Sequence, residues 1–221
     1  NITDSTRIDS SLETIRFILE KGASKLVLMS HLGRPKGKPD KKFSLEPVAS
    51  YLADKIGQEV VLTESCLDRG IKPLMALPET KIILLENLRF HAEEEANDHE
   101  FAKRLASYAD VYVNDAFGTA HRKHASTYEI NSFFKGRALA GFLLQKEIVA
   151  LDKIVNNPKK PFVAVVGGAK VADKIQIIEE LLRSVDTLLI GGAMAYPFLK
   201  AQGVEVGKSL CGDDDVKLAK N

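Results

Sequence analysis

Lys25-Leu26-Val27-Leu28-Met29-Ser30 runs straight into His31-Leu32-Gly33-Arg34-Pro35, and this junction decides how the rest of the chain is read. The first six residues form a short aliphatic run with little polar alternation, the pattern of a strand buried on both faces. The next five carry a histidine, a glycine and an arginine where such a strand would end. Similar runs recur at Glu59–Thr63, Lys81–Leu85, Asp110–Val113, Phe162–Val166 and Thr187–Ile190. Amphipathic stretches predict helices between them at Ser10–Lys21, Ser44–Ile56, Asp98–Tyr108, Phe142–Asn156, Ala172–Ser184 and Met194–Gln202. Ser10 with Glu13 three residues on reads as a helix start, and Gly22 as a helix stop. Strand and helix in alternation predict an α/β fold, a parallel Rossmann-like sheet with helices on both faces in three layers.

One break interrupts the alternation. Asn156-Asn157-Pro158-Lys159-Lys160-Pro161 is polar, holds two prolines and follows a long helical stretch. It predicts a boundary, with residues 1–141 as one domain, 142–156 as a connecting helix and 157–221 as the start of a second, similar domain.

The bulk composition removes several classes of function. Of 221 residues, 31 are basic and 30 acidic, a net charge of +1, so no bulk attraction to nucleic acid or to a membrane surface is expected. An anion site must come from a few placed cations. Cys66 and Cys211 lie far apart in no metal-like spacing, which predicts a reducing compartment and neither a disulfide framework nor a zinc site. No apolar run reaches the ~18 residues of a membrane span. The opening Asn1-Ile2-Thr3-Asp4 resembles no signal peptide, and without an initiator Met residues are expected to precede it.

In open parallel sheets ligands sit beyond the carboxyl ends of the strands. His31-Leu32-Gly33-Arg34-Pro35 occupies that place after one strand and Glu86-Asn87-Leu88-Arg89-Phe90 after another. Asn114-Asp115-Ala116-Phe117-Gly118-Thr119-Ala120-His121-Arg122 follows a third, and Arg7 lies ahead of the first predicted helix. Each of these residues alone reads as an ordinary solvated charge or a structural histidine. Together they place four arginines and one or two histidines on one rim. The guanidinium fork suits carboxylate and phosphate oxygens two at a time, so a small, strongly anionic ligand is predicted. Gly33 and Gly118 would let the backbone approach it. His124 reads as structural, His91 and His99 as surface residues, and Glu93-Glu94-Glu95 as a solvated face with no metal-ligand spacing.

A second constellation, Gly167-Gly168-Ala169-Lys170-Val171-Ala172-Asp173-Lys174, follows Phe162–Val166, and Gly191-Gly192 follows the next strand. Two glycines between strand and helix suit a phosphate loop, with the helix N-terminus facing an anion and two lysines adding point charges. The same residues fit a plain strand-to-helix turn with surface lysines, and the pattern alone leaves both open. Gly203–Ser209 mimics a P-loop ending but has three residues between its glycines where four are required.

Taken in order, Thr6-Arg7-Ile8, Ser30–Pro35, Glu86–Phe90, Val113–Arg122 and Gly167–Val171 resemble the signature segments of the phosphoglycerate kinase family, and the resemblance runs through essentially all of the chain. It implies a cytoplasmic two-domain α/β kinase, expected as a monomer. It would move a phosphoryl group reversibly between ATP and 3-phosphoglycerate, giving ADP and 1,3-bisphosphoglycerate, with Mg2+ as the companion of the nucleotide. It implies 3-phosphoglycerate contacts from Arg7, His31, Leu32, Gly33, Arg34, Arg89 and Arg122. Gly167, Gly168, Ala169, Lys170 and Lys174 would serve the nucleotide phosphates, with Gly191 and Gly192 near the adenine. Arg7 and Lys170 would be the catalytic pair, and the domains would close about Phe142–Asn156. The family's first strand, with its Asp-x-Asn pair, has no counterpart here, the family continues well past Asn221, and Ala193 stands where it often has a third glycine. Two alternatives stand beside the kinase. One is a catalytically incomplete anion-binding module for the chain as given, which alone is expected to be inactive. The other is an unrelated α/β protein using its glycine turns for another phosphorylated ligand.

Overall fold

Ile82, Ile83, Leu84 and Leu85 are each no more than 1% exposed. A run this apolar can only form the middle of a layered structure. In the computed structural model, which describes residues 2–220, Ile82–Leu84 is the central strand of a parallel sheet. The chain divides into two compact units, Asn1–Val149 and Ala150–Asn221, and the division falls inside the helix Phe142–Asn156. The outer limits of the two expected domains, Asn1 and Asn221, lie outside the described residues.

The first unit runs α1 (Thr6–Glu20), β1 (Leu26–Leu28), α2 (Glu46–Ile56), β2 (Val60–Leu62), α3 (Ile71–Ala76), β3 (Ile82–Leu84), α4 (Ala92–Glu95), α5 (His99–Ala106), β4 (Tyr112–Asn114), α6 (Phe117–Ala120), β5 (Ala138–Ala140) and the start of α7 (Phe142–Asn156). Short 3-10 turns occupy Lys41–Phe43, Leu88–Phe90 and Glu129–Phe133. The larger sheet has the order β1-β3-β2, with Leu26 and Val60 both opposite Ile82. Successive residues of a strand face opposite sides, and here each side has its own core. Ile82 and Leu84 pack with Leu12 and Ile15 of α1 and Ala49 and Leu52 of α2. Ile83 and Leu85 pack with Ile71 of α3 and Phe101 and Leu105 of α5. The expected three layers are therefore present around this sheet.

β4 pairs in parallel with β5, which the sequence did not announce. Ala138-Leu139-Ala140 is exposed throughout and lacks the branched residues that mark strands.

α1 begins earlier than expected. Asp4 Oδ1 accepts hydrogen bonds from Thr6 N at 2.9 Å and Thr6 Oγ1 at 2.6 Å, and Ser5 is the N-cap. Ser10 is not a helix start: it lies within α1, and its hydroxyl donates back to Thr6 O at 2.7 Å. Arg7 is accordingly in the first turn of the helix, not ahead of it. Gly22, at φ +86°, does follow the helix end.

The second unit holds β6 (Val163–Gly167), α8 (Ile175–Leu182), β7 (Thr187–Gly191), α9 (Ala195–Ala201) and α10 (Asp213–Lys220). β6 and β7 are parallel, with Gly167 opposite Gly191. Here the reading of strands buried on both faces fails. Ala164 and Val166 are buried, but Val163 is 49% exposed, Val165 74% and Leu189 51%. The covered face meets Ile178 of α8, Met194, Phe198 of α9 and Leu218 of α10; among the described residues of this unit no element covers the other. No helix among the described residues is long and apolar enough to cross a membrane.

Candidate anion-binding site

The carboxyl ends of β1 and β3 deliver two loops that are fastened to each other by a buried side chain. Asn87, 1% exposed, donates from Nδ2 to Leu32 O at 2.8 Å and to Phe43 O at 3.0 Å, while its Oδ1 accepts from Arg89 N at 3.0 Å. One amide thus fixes the His31–Phe43 loop against the turn that carries Arg89. Glu86 reinforces it: Oε1 accepts from Leu45 N at 2.8 Å and Asn87 N at 2.7 Å, and Oε2 from Ser44 Oγ at 2.7 Å. Arg89, 5% exposed, donates from Nη1 to Gly33 O at 2.9 Å. Its Nε is buried without a hydrogen bond, although Glu95 Oε1 stands 3.5 Å away. Gly33 adopts φ +64°, and a Cβ there would lie 2.3 Å from the Phe43 ring, so both the backbone and the packing require glycine.

The predicted cations come together over this frame. Burial first, and then the positive charges of Arg89, His124, Arg122 and Arg7, together lower His31 to about 4. Burial also lowers Arg89; Glu95 opposes the shift, while Arg122 and Arg34 add to it. Five expected residues, Arg7, His31, Arg34, Arg89 and Arg122, therefore lie within electrostatic reach of one another's group. Arg7 and Arg34 are exposed; Arg122 is half-buried, with its Nε enclosed and unbonded. Leu32 is 41% exposed and serves the frame through its carbonyl. Gly118 faces open space within α6, so nothing in the protein requires glycine there.

At the carboxyl ends of β6 and β7 the two glycine pairs meet. Met194 N donates to Gly168 O at 3.0 Å, and a Cβ on Gly192, at φ +68°, would lie 3.3 Å from that same carbonyl. The Lys174 side chain lies along Gly168, with Cε 3.3 Å from where a Cβ would stand. Ala169 and Lys170 are exposed. The expected helix from Ala172 begins only at Ile175, with Lys174 as its N-cap. The reason is Val171: it is fully buried with Ile178 and Met194, and Lys174 N closes a turn on Val171 O at 2.9 Å. The segment between glycines and helix is thus an anchored turn.

Two separate glycine- or arginine-bearing strand ends suit phosphorylated ligands, and the family can now be settled. The profile described as phosphoglycerate kinase matches residues 1–221. The chain belongs to the phosphoglycerate kinase family. The phosphoglycerate kinase of Anaeromyxobacter sp. (strain Fw109-5) is 54% identical over 222 residues, covering 99% of this chain and 56% of that protein. The cytosolic phosphoglycerate kinase of Triticum aestivum is 55% identical over 219 residues, covering 99% and 54%. The solved phosphoglycerate kinase of Coxiella burnetii superposes with a TM-score of 0.84 at 43% identity, covering 100% of this chain and 55% of that one. The chain spans about half the length of the curated relatives it matches. Membership sets aside the reading as an unrelated α/β protein.

Within this chain, three groups near the arginines escaped the sequence reading. Asn87 does the fastening but reads as one more loop amide; its position between a strand end and Arg89 was the available signal. His124, set down as structural, is the second-largest charge acting on His31, and its own protonation is disfavoured by burial and by Arg89. Glu94, read as part of a solvated face, is 4% exposed, because α4 is a single turn whose third residue points inward. His91 is half-buried, not a surface residue: its Nε2 is 3.0 Å from Ser65 Oγ and its ring tilts on Phe101. His99 is exposed, as expected, beside Glu129.

Proposed function

We propose that the complete protein carrying this chain is a phosphoglycerate kinase in activity as in family. It would move a phosphoryl group reversibly between ATP and 3-phosphoglycerate, giving ADP and 1,3-bisphosphoglycerate, as a cytoplasmic monomer. The observation that carries this reading is the gathering of Arg7, Arg89, Arg122 and His124 around His31, beyond the carboxyl end of β1. The wheat relative, named as cytosolic, supports the location.

In the forward direction a carboxylate oxygen of 3-phosphoglycerate attacks the γ-phosphorus of ATP. A new P–O bond forms, the bond from γ-phosphorus to the β,γ-bridging oxygen breaks, and ADP leaves with that electron pair. The chemistry asks for positioning and charge neutralisation rather than a covalent protein intermediate. Residues 1–141 form the 3-phosphoglycerate domain in this reading: His31, Arg34, Arg89 and Arg122 hold the anionic groups, with Leu32 and Gly33 supplying backbone. Residues 142–156 connect it to 157–221, the start of the nucleotide domain. There Gly167, Gly168, Ala169 and Lys174 serve the nucleotide phosphates, with Gly191 and Gly192 near the adenine. Arg7 and Lys170 are the cations that meet the transferring group.

Mg2+ belongs to the nucleotide substrate. Among the described residues no cluster of three or more His, Cys, Asp or Glu side chains could hold a metal; toward the nucleotide this chain would offer lysines and backbone N–H groups.

The test is kinetic, on the complete protein. Arg122→Ala and Arg89→Ala each remove charge-assisted bonds of about 1.5–3 kcal/mol, so the KM for 3-phosphoglycerate should rise roughly tenfold or more. Arg7→Ala should lower kcat by ~10³–10⁵, in the manner of an arginine finger. Unchanged constants in all three variants would end the assignment.

A further inference from the structure

Glu94 is a buried carboxylate to which the proposed chemistry assigns no part. Its side chain is 5% exposed, yet it follows the Arg89 turn by only a few residues and sits in the single turn of α4. Both hydrogen bonds to its carboxylate come from Ser126 in another loop, and its carbonyl also meets the neighbouring Ala125. Glu94 O accepts from Ala125 N at 2.9 Å, Oε2 from Ser126 N at 3.0 Å, and Oε1 from Ser126 Oγ at 2.5 Å. Ala125 and Ser126 directly follow the Arg122-Lys123-His124 segment, and His124 Nδ1 stands 3.9 Å from Glu94 Oε1. The acid therefore ties the segment bearing Arg89 to the segment bearing Arg122.

Physical chemistry says this arrangement is costly for a residue that only fills space. Burying a carboxylate costs several kcal/mol unless good hydrogen bonds and nearby charge offset it. Burial does push Glu94 upward, while the two Ser126 donors and Arg89 pull it back. Ser126 is itself buried, so the two donors are held in place. The cations have the converse difficulty. Gathered without a ligand, Arg89 and Arg122 repel each other, and among the described residues the one ion-pair partner of Arg89 is Glu95 at 3.5 Å. A fixed negative charge behind them lets the cluster stay assembled before the anion arrives, which is preorganisation.

We infer that Glu94 is a positioning residue of the anion site: through Ala125 and Ser126 it sets the spacing of Arg89 and Arg122 and supplies the countercharge that keeps them together. This rests on the reading of that cluster as the 3-phosphoglycerate site.

The experiment compares Glu94→Ala, Glu94→Gln, Ser126→Ala and Arg122→Ala in the complete protein. Calorimetry gives the Kd of 3-phosphoglycerate and, separately, of ADP; thermal unfolding follows the fold. Misplacing binding groups by about 1 Å can cost as much as 10²-fold, so Glu94→Ala should weaken 3-phosphoglycerate roughly tenfold to a hundredfold. ADP binding should stay within about twofold, because its loop shares no partner with Glu94. Glu94→Gln keeps one acceptor for Ser126 and should recover part of the loss. Ser126→Ala should fall between the two, and it keeps the test open if Glu94→Ala does not fold. Equal weakening of both ligands would mean general damage and would overturn the inference. So would a Glu94→Ala protein that binds 3-phosphoglycerate normally while Arg122→Ala does not. Normal binding by Arg122→Ala would remove the site reading itself, and the role of Glu94 with it.

Discussion

β3 and β6 are both short aliphatic strands in parallel sheets, and they live in different environments. Along β3 every residue is buried, with Ile82 and Leu84 in one core and Ile83 in the other. Along β6 burial alternates: Ala164 and Val166 are buried, Val166 against Ile178 of α8 and Met194, while Val163 and Val165 are exposed. The two sequences, Ile-Ile-Leu and Val-Ala-Val-Val-Gly, give no warning of this. An aliphatic run reports what a strand can bury; the layers around it decide what it does bury.

The widest expected gap follows directly. Ile83→Ala leaves a hole in a closed core and should cost about 2–5 kcal/mol. Val165→Thr alters a side chain that is 74% exposed and should stay within about 0.5 kcal/mol. Urea unfolding of both variants reads the difference, and similar losses would mean that the outer face of β6 is covered in solution.

The two ligand loops differ in the same way. Asn87 pins the His31–Phe43 loop with two side-chain hydrogen bonds and accepts a third from Arg89 N. Beyond the glycines of β6 the comparable side-chain tie is Asp215 Oδ1, which accepts from Ala172 N at 3.2 Å near the surface. Asn87→Ala strands buried backbone groups and should cost about 1–3 kcal/mol for each one left unpaired. It should also weaken 3-phosphoglycerate binding. Asp215→Ala should cost under about 0.5 kcal/mol. A harmless Asn87→Ala would show that the loop is held by its packing.

These contrasts mark where the sequence was readable. The six strands with branched aliphatic residues were placed to within a residue or two, and α7 falls on the expected residues, because periodicity and burial agree there. Arg34 and Arg89 could be grouped because β1 and β3 belong to one parallel sheet, whose strand ends share an edge; Arg122 follows β4, which pairs with β5 in a separate sheet, and no single sheet edge brings it to them. What stayed hidden depends on a single side chain turning inward. β5 has only Ala-Leu-Ala to declare it. α10, with Asp213, Asp214 and Asp215 in its first turn and Lys217 and Lys220 in its last, did carry a readable macrodipole pattern. Asn87 and Glu94 look polar, and polar residues read as surface until a partner fifty or thirty positions away is known to exist.

The smallest effect concerns protons, and it again separates the units, since all five histidines lie before Val149. In the folded chain His31 is lowered from 6.5 to about 4, first by burial and then by Arg89, His124, Arg122 and Arg7. Between those values the unfolded chain holds a proton that the folded chain refuses. The His31 contribution is therefore complete above 6.5 and is lost as pH falls toward about 4. Glu94, raised by burial, acts with the opposite sign: its charged form is disfavoured in the fold, so its contribution declines as pH rises from 4.5 through the raised value. His31→Asn should flatten the acid-side slope of stability and leave the Glu94 trend in place. An anion seated on the arginines would offset the smaller, charge-borne part of the lowering of His31, so 3-phosphoglycerate binding at a pH a little above about 4 should take up protons. Calorimetry in buffers of different ionisation enthalpy measures that uptake, and His31→Asn should reduce it. ADP, which in the proposed reading binds the unit that holds no histidine, should show the same proton count in both proteins. Equal uptake of protons with 3-phosphoglycerate before and after His31→Asn would mean that the ligand leaves His31 neutral and that the arginines alone carry the anion.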